Sequence, residues 1–343
     1  IEDETFPGTA VLVWKDGNTV YEKAFGNYTY DPQSEKVYPH TLYDLASVTK
    51  VVATTTAAMI CYDRKWFSLD DKVIKYLPEF GFNGKENITL KNLLLHNTGL
   101  PAWKKFYGRN LKSDDVIKEI YSSELEYKTG AKTVYSDLGI ITLGKIIEKV
   151  SGKRLDIFCK DEIFTPLDMN ATFFNPKDSI KKLCAPTETD NYWRMKTLQG
   201  EVHDETSAML GGVAGHAGLF STAEDIGKLI SVLMNKGKYN NEQFIKQSTV
   251  ELFIKRYSEE STRALGWDTK SDSGSSAGIY FSKNSFGHTG YTGTSIWADP
   301  ERNLFVVFLT NRVYPTRENT KIQKVRPQLH NAVIKSIEKI DAK

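Results

Sequence analysis

Cysteine is almost missing from this chain, and the three present, Cys61, Cys159 and Cys184, are widely separated. An odd number with no Cys-x-x-Cys spacing indicates neither a disulfide framework nor a zinc knuckle, so all three read as small buried hydrophobes. They leave the compartment open. An excess of one charge is also missing: 45 Lys and Arg against 43 Asp and Glu leave a formal +2 spread over 343 residues. That balance argues against nucleic acid or a polybasic membrane anchor as partner and favours a small molecule. No apolar run approaches the roughly 18 residues that a spanning helix needs. The start, Ile1-Glu2-Asp3-Glu4, is acidic and lacks an initiator methionine, as a processed or excised piece would. Histidine is scarce, six in all, with no His-x-His or His-Glu-x-x-His spacing. A metallohydrolase recruiting His96, His203 with Asp204, His216 and His288 therefore has little support, and neither metal nor cofactor is expected. Repeats and low-complexity segments are absent apart from the flexible-looking 271–278 loop.

What is present is a 40% hydrophobic share, enough for a real core in one large domain or two interleaved ones. Residues 9–14 and 19–25 are β-branched and aromatic runs separated by Lys15-Asp16-Gly17-Asn18, a hairpin signal. A second hairpin is expected from 294–298 and 304–309 around the turn Asp299-Pro300-Glu301-Arg302-Asn303. Helical periodicity marks 63–77, 88–95, 112–121 and 139–150, with Ser151-Gly152 as a stop. A last helix, about 325–340, would turn Val333, Ile337 and Ile340 to the sheet. Strands at both ends with helices between predict an α+β fold, an antiparallel sheet built from both chain ends, flanked by helices, with a large mostly helical insertion. The corresponding division is 1–60 with 265–343 as sheet domain and 61–264 as helical domain.

The strongest chemical signal is Asp44-Leu45-Ala46-Ser47-Val48-Thr49-Lys50, because a serine three residues before a lysine shares its helix face. A lysine in a partly desolvated site loses charge readily, takes a proton from a neighbouring hydroxyl and activates it. Ser47 would attack; Lys50 would assist. Ser179-Lys182 and Ser336-Lys339 share the spacing, but only Lys50 is followed by a small and β-branched run, Val-Val-Ala-Thr-Thr-Thr-Ala-Ala-Met-Ile, that reads as a buried helix. Taken alone, Ser47 reads equally well as a helix N-cap. A second motif, Tyr135-Ser136-Asp137, offers a phenol whose pKa cationic neighbours would lower, so that it could take the serine proton and pass it on. A packed aromatic is its plain alternative, and Tyr239-Asn240-Asn241 matches as loosely in a surface turn. The third motif is Gly287-His288-Thr289-Gly290-Tyr291-Thr292-Gly293, whose glycines mark a strand approached closely by a backbone or a ligand. Lys128-Thr129-Gly130 reads as a turn. His96, before Asn97-Thr98-Gly99-Leu100-Pro101, is taken as a buried histidine tying that turn to its neighbour.

With Ser-x-x-Lys, Tyr-x-Asp and His-Thr-Gly in that order, the chain resembles the serine β-lactamase and penicillin-binding-protein superfamily over nearly its whole length. Tyr135 lies roughly ninety residues after Ser47 and the third box comes late, a spacing most similar to the class C β-lactamase and family VIII esterase branch. The stretches 93–101 and 211–223 are similar to that branch as well. The resemblance implies an acyl-enzyme on Ser47 at the interface of the two domains, with Lys50 and Tyr135 sharing the base and acid roles. It also implies Asp137, His288, Thr289 and Gly290 lining the substrate, and an oxyanion hole made by the N–H groups of Ser47 and Tyr291. Penicillin-recognising members usually carry Asn at the place of Asp137 and Lys at that of His288. A histidine titrating near 6.5 removes a fixed counter-charge for the β-lactam carboxylate, and Asp137 adds a negative one. The expected activity is therefore ester or amide hydrolysis, of carboxylesterase or muramoyl-peptide amidase type. β-Lactamase or D-Ala-D-Ala carboxypeptidase activity and a non-catalytic ligand sensor stand as alternatives. The His-Thr-Gly box and Gly211-Gly212-Val213-Ala214-Gly215-His216-Ala217-Gly218 are similar to the peptidoglycan-recycling subgroup, which implies a cell-wall-derived substrate and favours the bacterial envelope or secretion over the cytoplasm.

Overall fold

A computed structural model describes residues 1–341 of the chain. Asp16 and Gly17 both adopt positive φ, which gives the two-residue turn whose twist suits a tight hairpin between β1 (Gly8–Lys15) and β2 (Asn18–Gly26). Four strands from the other end, β3 (Asp268–Thr269), β4 (Phe286–Thr289), β5 (Ser295–Asp299) and β6 (Leu304–Thr310), complete a six-stranded sheet. Its order is β3-β4-β5-β6-β1-β2, antiparallel throughout, with Val11 opposite Phe308 where the two chain ends meet. The expected α+β sheet made from both termini is what the chain builds.

β6, Leu-Phe-Val-Val-Phe-Leu-Thr, is buried along its whole length because helices cover both faces. Ile322 and Ile334 on the C-terminal helix (Ile322–Asp341) pack with Val11, Val13, Val306 and Phe308 on one face, supported by Val333 and Ile337. The side chain of Ile340 lies outside the described residues. On the other face a helix over Ala223–Met234 brings Gly227 to within contact of Leu12 and Phe305. The connecting chain between 60 and 260 is mainly helix and loop, as expected. Its long helix, Asp137–Ser151, is capped at its start by the Ser136 side chain and ended by Gly152 at φ 68°.

One expectation fails. Residues 63–77 do not form an amphipathic helix but turns with one 3₁₀ turn at Val73–Lys75. The Asp71 carboxylate accepts from the Ser68 N–H at 2.8 Å and the Tyr76 hydroxyl at 2.6 Å, a local side-chain acceptor that displaces the helical pattern. The 271–278 loop is anchored at Ser276. The Ser276 carbonyl accepts from His330 Nδ1 at 2.8 Å, and its hydroxyl accepts from Trp297 Nε1 at 3.0 Å.

Three short strands, Tyr43–Asp44, Leu219–Ser221 and Phe173–Phe174, form a small sheet that carries the Gly-rich 211–218 segment against the start of the Ser47 turn. Gly215 makes this approach possible: a Cβ there would stand 2.3 Å from the Ile140 carbonyl oxygen. Gly215→Ala is therefore expected to lower stability by about 1–3 kcal/mol through overpacking against backbone. Equilibrium urea unfolding measures it, and an unchanged midpoint would show that the two segments are free to separate.

Candidate active site

The residue before Ser47 sets the geometry. Ala46 has φ 46°, a left-handed conformation that a residue with a Cβ adopts at a cost. The chain then makes a 3₁₀ turn, Ala46–Val48, and a wide π-helical turn, Lys50–Thr55, before settling into α-helix at Thr56–Asp63. The run after Lys50 is buried as expected, since Val51, Val52 and Ala53 have no exposure.

Lys50 is wholly buried, and its ammonium has three partners. Nζ donates to Ser47 Oγ at 2.9 Å and to the His216 carbonyl at 2.9 Å, and it pairs with Asp137 Oδ1 at 2.7 Å. Two of its N–H bonds meet hydrogen-bond acceptors, and Asp137 adds an opposite charge at ion-pair distance. Burial alone would strip the charge, but the Asp137 carboxylate and the nearby Tyr135 outweigh it and push the pKa of Lys50 up. The expectation of an easily deprotonated lysine is corrected by this: Lys50 is a fixed cation. Asp137 borders a cavity beside Ser47, as expected, and also turns one oxygen to that cation; its carboxylate belongs to the first turn of its helix, where the dipole favours a negative charge.

Tyr135 is enclosed by nitrogen groups. Lys50 Nζ stands 4.9 Å from its ring centroid and the Arg263 guanidinium carbon 5.1 Å, with the His96 and His288 rings at 4.7 and 5.9 Å. Burial nevertheless dominates the attraction of Lys50 and pushes the phenol pKa up, the reverse of the expected direction. The phenol is protonated at neutral pH. Its oxygen is buried and has no well-aligned hydrogen-bond partner, though Ser47 and Lys50 are near enough to bias its titration.

His96 is buried, as expected, and accepts the Ser136 N–H on Nδ1 at 3.1 Å, which leaves the proton on Nε2. His288 Nδ1 lies 2.8 Å from the Thr289 carbonyl, an acceptor, so Nδ1 carries the proton and Nε2 the lone pair. Burial first, then Arg263 and Lys50, hold the pKa of both rings well below 6.5. The expected gain of charge on His288 near pH 6.5 is therefore corrected: the ring stays neutral. Gly290 lies so close to the Ser47 segment that a Cβ would stand 2.4 Å from the Leu45 carbonyl oxygen. The N–H groups of Ser47 and Tyr291 donate to no protein acceptor among the described residues.

Ser47 borders two cavities. One, of about 400 Å³, is lined by Tyr135, His288, Thr289 and the side chains of Arg263, Arg312 and Arg326. The other, of about 330 Å³, is lined by Trp103, Tyr107, Leu138, Ile141 and the acidic Asp204 and Glu205. Trp103 is 61% exposed and Tyr291, which borders both cavities, 48%. Sequence reasoning missed Trp103, Tyr107 and the arginines, which carry no motif. It named His203, Asp204 and His216 only as metal candidates. In the fold His216 Nε2 meets Asp204 Oδ1 at 2.8 Å and His203 Nε2 meets Glu188 Oε2 at 2.9 Å, two separate pairs. No group of three or more His, Cys, Asp or Glu able to hold a metal forms among the described residues.

A family profile described as Beta-lactamase matches residues 1–329. A Bacillus subtilis (strain 168) protein named "N-acetylmuramyl-L-alanine amidase" is 37% identical over 341 residues, covering 90% of this chain and 77% of the relative. A Salmonella agona (strain SL483) protein named "Putative D-alanyl-D-alanine carboxypeptidase" is 34% identical over 355 residues, covering 93% and 82%. Among solved structures, "EstCE1, a hydrolase with promiscuous acyltransferase activity" superposes with a TM-score of 0.75 at 22% identity, covering 95% of each chain, a likeness of fold. The chain belongs to the Beta-lactamase family. It is a serine hydrolase of the β-lactamase-related type. No described helix is long and apolar enough to cross a membrane.

The neutral histidines have a consequence for stability. His96 and His288 stay neutral in the fold and His330, also buried, has its pKa pushed down to about 4, whereas in the unfolded chain all three protonate near 6.5. Below about pH 6.5 the unfolded chain binds protons that the folded chain refuses, so stability falls with pH by roughly 1.4 kcal/mol per unit for each histidine. Denaturant midpoints at pH 7.5, 6.5 and 5.5 should drop across the lower interval, and His288→Gln should remove about one proton from the slope.

Proposed function

We propose that Ser47 is the acylated nucleophile of an amidase acting on muramoyl peptides, cleaving the bond between a muramic-acid acyl group and the amino acid that follows. The observation that carries this reading is the position of Ser47 Oγ, 2.9 Å from the fixed Lys50 ammonium and at the meeting of a cationic and an aromatic cavity. The names of the two relatives support a cell-wall substrate, and the amidase name supports the muramoyl bond.

The charge states of Lys50 and Tyr135 favour a proton relay in which neither group rests in an activated form. As Ser47 Oγ bonds to the acyl carbon, its proton passes to the Tyr135 phenol oxygen while the phenol's own proton passes to the departing nitrogen. The C–N bond breaks, an amine leaves and a seryl ester remains. Tyr135 ends as it began. Lys50 stays charged throughout, stabilises the developing negative charge on the two oxygens and keeps Ser47 oriented. The N–H groups of Ser47 and Tyr291 receive the carbonyl oxygen, and water repeats the sequence in reverse to release the acid. Thr289, Gly290 and His288, with its free lone pair on Nε2, line the substrate as neutral groups. Trp103 and Tyr107 offer ring faces to the sugar on the acyl side.

Incubating N-acetylmuramoyl-L-alanine peptide with the protein should release free peptide, and trapping should give a mass increase on Ser47. Ser47→Ala is expected to lose the adduct and at least about 10³ in kcat. Turnover near wild type by a folded Ser47→Ala would remove the serine assignment. Release of D-alanine from a D-Ala-D-Ala peptide, with no cleavage at muramic acid, would move the substrate to the carboxypeptidase reading.

A further inference from the structure

The cationic cavity beside Ser47 looks like a generic anion trap until each guanidinium is followed to its partners. Arg326 donates to the carbonyls of Gly290 at 2.7 Å and Thr294 at 2.8 Å. Arg312 donates to the carbonyls of Tyr291 at 2.7 Å, Arg317 at 2.9 Å and Asn319 at 2.8 Å. Arg317 is held by Glu188 at 2.6 Å and Glu205 at 2.9 Å. These three cations are spent on holding the wall. Arg263 differs: its guanidinium makes no hydrogen bond among the described residues, and its nearest carboxylate, Asp268, stands at 3.9 Å. It lies over the face of Tyr135, 5.1 Å from the centroid, with 18% of its side chain exposed. A guanidinium held over a ring without hydrogen bonds has its donors left over, in a planar fork that matches a carboxylate.

The identity of the group it meets follows from the position of Tyr135, and this step rests on the reading proposed above. The residue that protonates a leaving nitrogen must stand beside it, and Tyr135 lines the cationic cavity and not the aromatic one. The leaving amine therefore departs into the cavity that holds Arg263, and the acyl part occupies the side of Trp103. The geometry points to Arg263 as the specificity residue of this site, a clamp for a carboxylate carried by the leaving group, so that the substrate is an amide between an uncharged acyl group and an anionic amino acid or peptide. His288, which borders the same cavity as a neutral ring, leaves that task to Arg263.

A matched pair of substrates tests it: N-acetylmuramoyl-L-alanine, whose leaving group carries a carboxylate, and N-acetylmuramoyl-L-alaninamide, whose leaving group does not. Wild-type protein should prefer the acid. In Arg263→Ala the ratio of kcat/KM for acid over amide should fall at least tenfold, mainly through KM, and Arg263→Lys should recover part of it. Arg263→Gln, which keeps a planar group against Tyr135, should lose the ratio as Ala does while guarding against a packing defect. In His288→Gln the ratio should stay at its wild-type value whatever happens to the rate. An unchanged ratio in both neutral Arg263 variants, with both substrates still cleaved, would overturn the clamp and leave the amidase reading standing. Equal losses on the two substrates through kcat would assign Arg263 to supporting Tyr135 and overturn the clamp likewise. Wild-type protein that cleaves neither amide would overturn the amidase reading, and the clamp with it.

Discussion

A buried ammonium holds three separate parts of the chain to one point. Lys50 reaches Ser47 on its own turn, Asp137 at the start of the long helix, and the His216 carbonyl in the Gly-rich segment. An unpaired charge at that depth would be prohibitively costly, so each contact is obligatory rather than decorative. The local backbone is shaped to supply them. The left-handed Ala46 and the π turn after Lys50 aim Ser47 and Lys50 at each other. Gly215, pressed against the Ile140 carbonyl, lets its segment come close enough for His216 to offer its oxygen.

That arrangement determines where protons reside. With its pKa pushed up and a carboxylate at 2.7 Å, Lys50 has no lone pair for the serine proton in the resting site. The phenol of Tyr135, kept neutral by burial against the pull of the same cation, is both a proton donor and, through its oxygen, an acceptor. The replacement of an amide by Asp137 is thus internal to the site. A carboxylate on the lysine raises its pKa, which is why the proposed relay runs through the tyrosine.

Much of this was legible in the sequence, and the failures have physical causes. Ser47-x-x-Lys50 and the small, branched run after it pointed to a serine beside a buried lysine, and the two hairpins to the sheet, because periodicity and turn chemistry are local properties. The ionisation of Lys50 and Tyr135 runs opposite to the sequence expectation, and His288 stays neutral further down in pH than its reference value, since all three depend on the depth of burial and on a carboxylate 87 positions from Lys50 and an arginine outside any motif. Arg263 carries no spacing signal; its meaning comes from the three other arginines being engaged. The 63–77 segment failed for the opposite reason, a very local one, when Asp71 offered the backbone a better acceptor than the helix did.

The same arginines explain how a turn rich in Gly and Thr can be held firmly enough to present an N–H. In the peptide unit joining Gly290 to Tyr291, the carbonyl and the N–H lie in one plane and point in opposite directions. Arg326, from the C-terminal helix, grips the Gly290 carbonyl, and the Gly290 N–H itself donates to the Thr294 carbonyl at 2.7 Å. Arg312 grips the Tyr291 carbonyl on the next unit. With the plane fixed on its oxygen side by a buried cation, the Tyr291 N–H is fixed on the other and left unpaired, as the oxyanion role proposed for it requires. A charge-assisted bond to a carbonyl is stronger than a neutral one. Two such cations therefore give this loop the rigidity that a central strand receives from its neighbours, and the C-terminal helix becomes part of what positions the site.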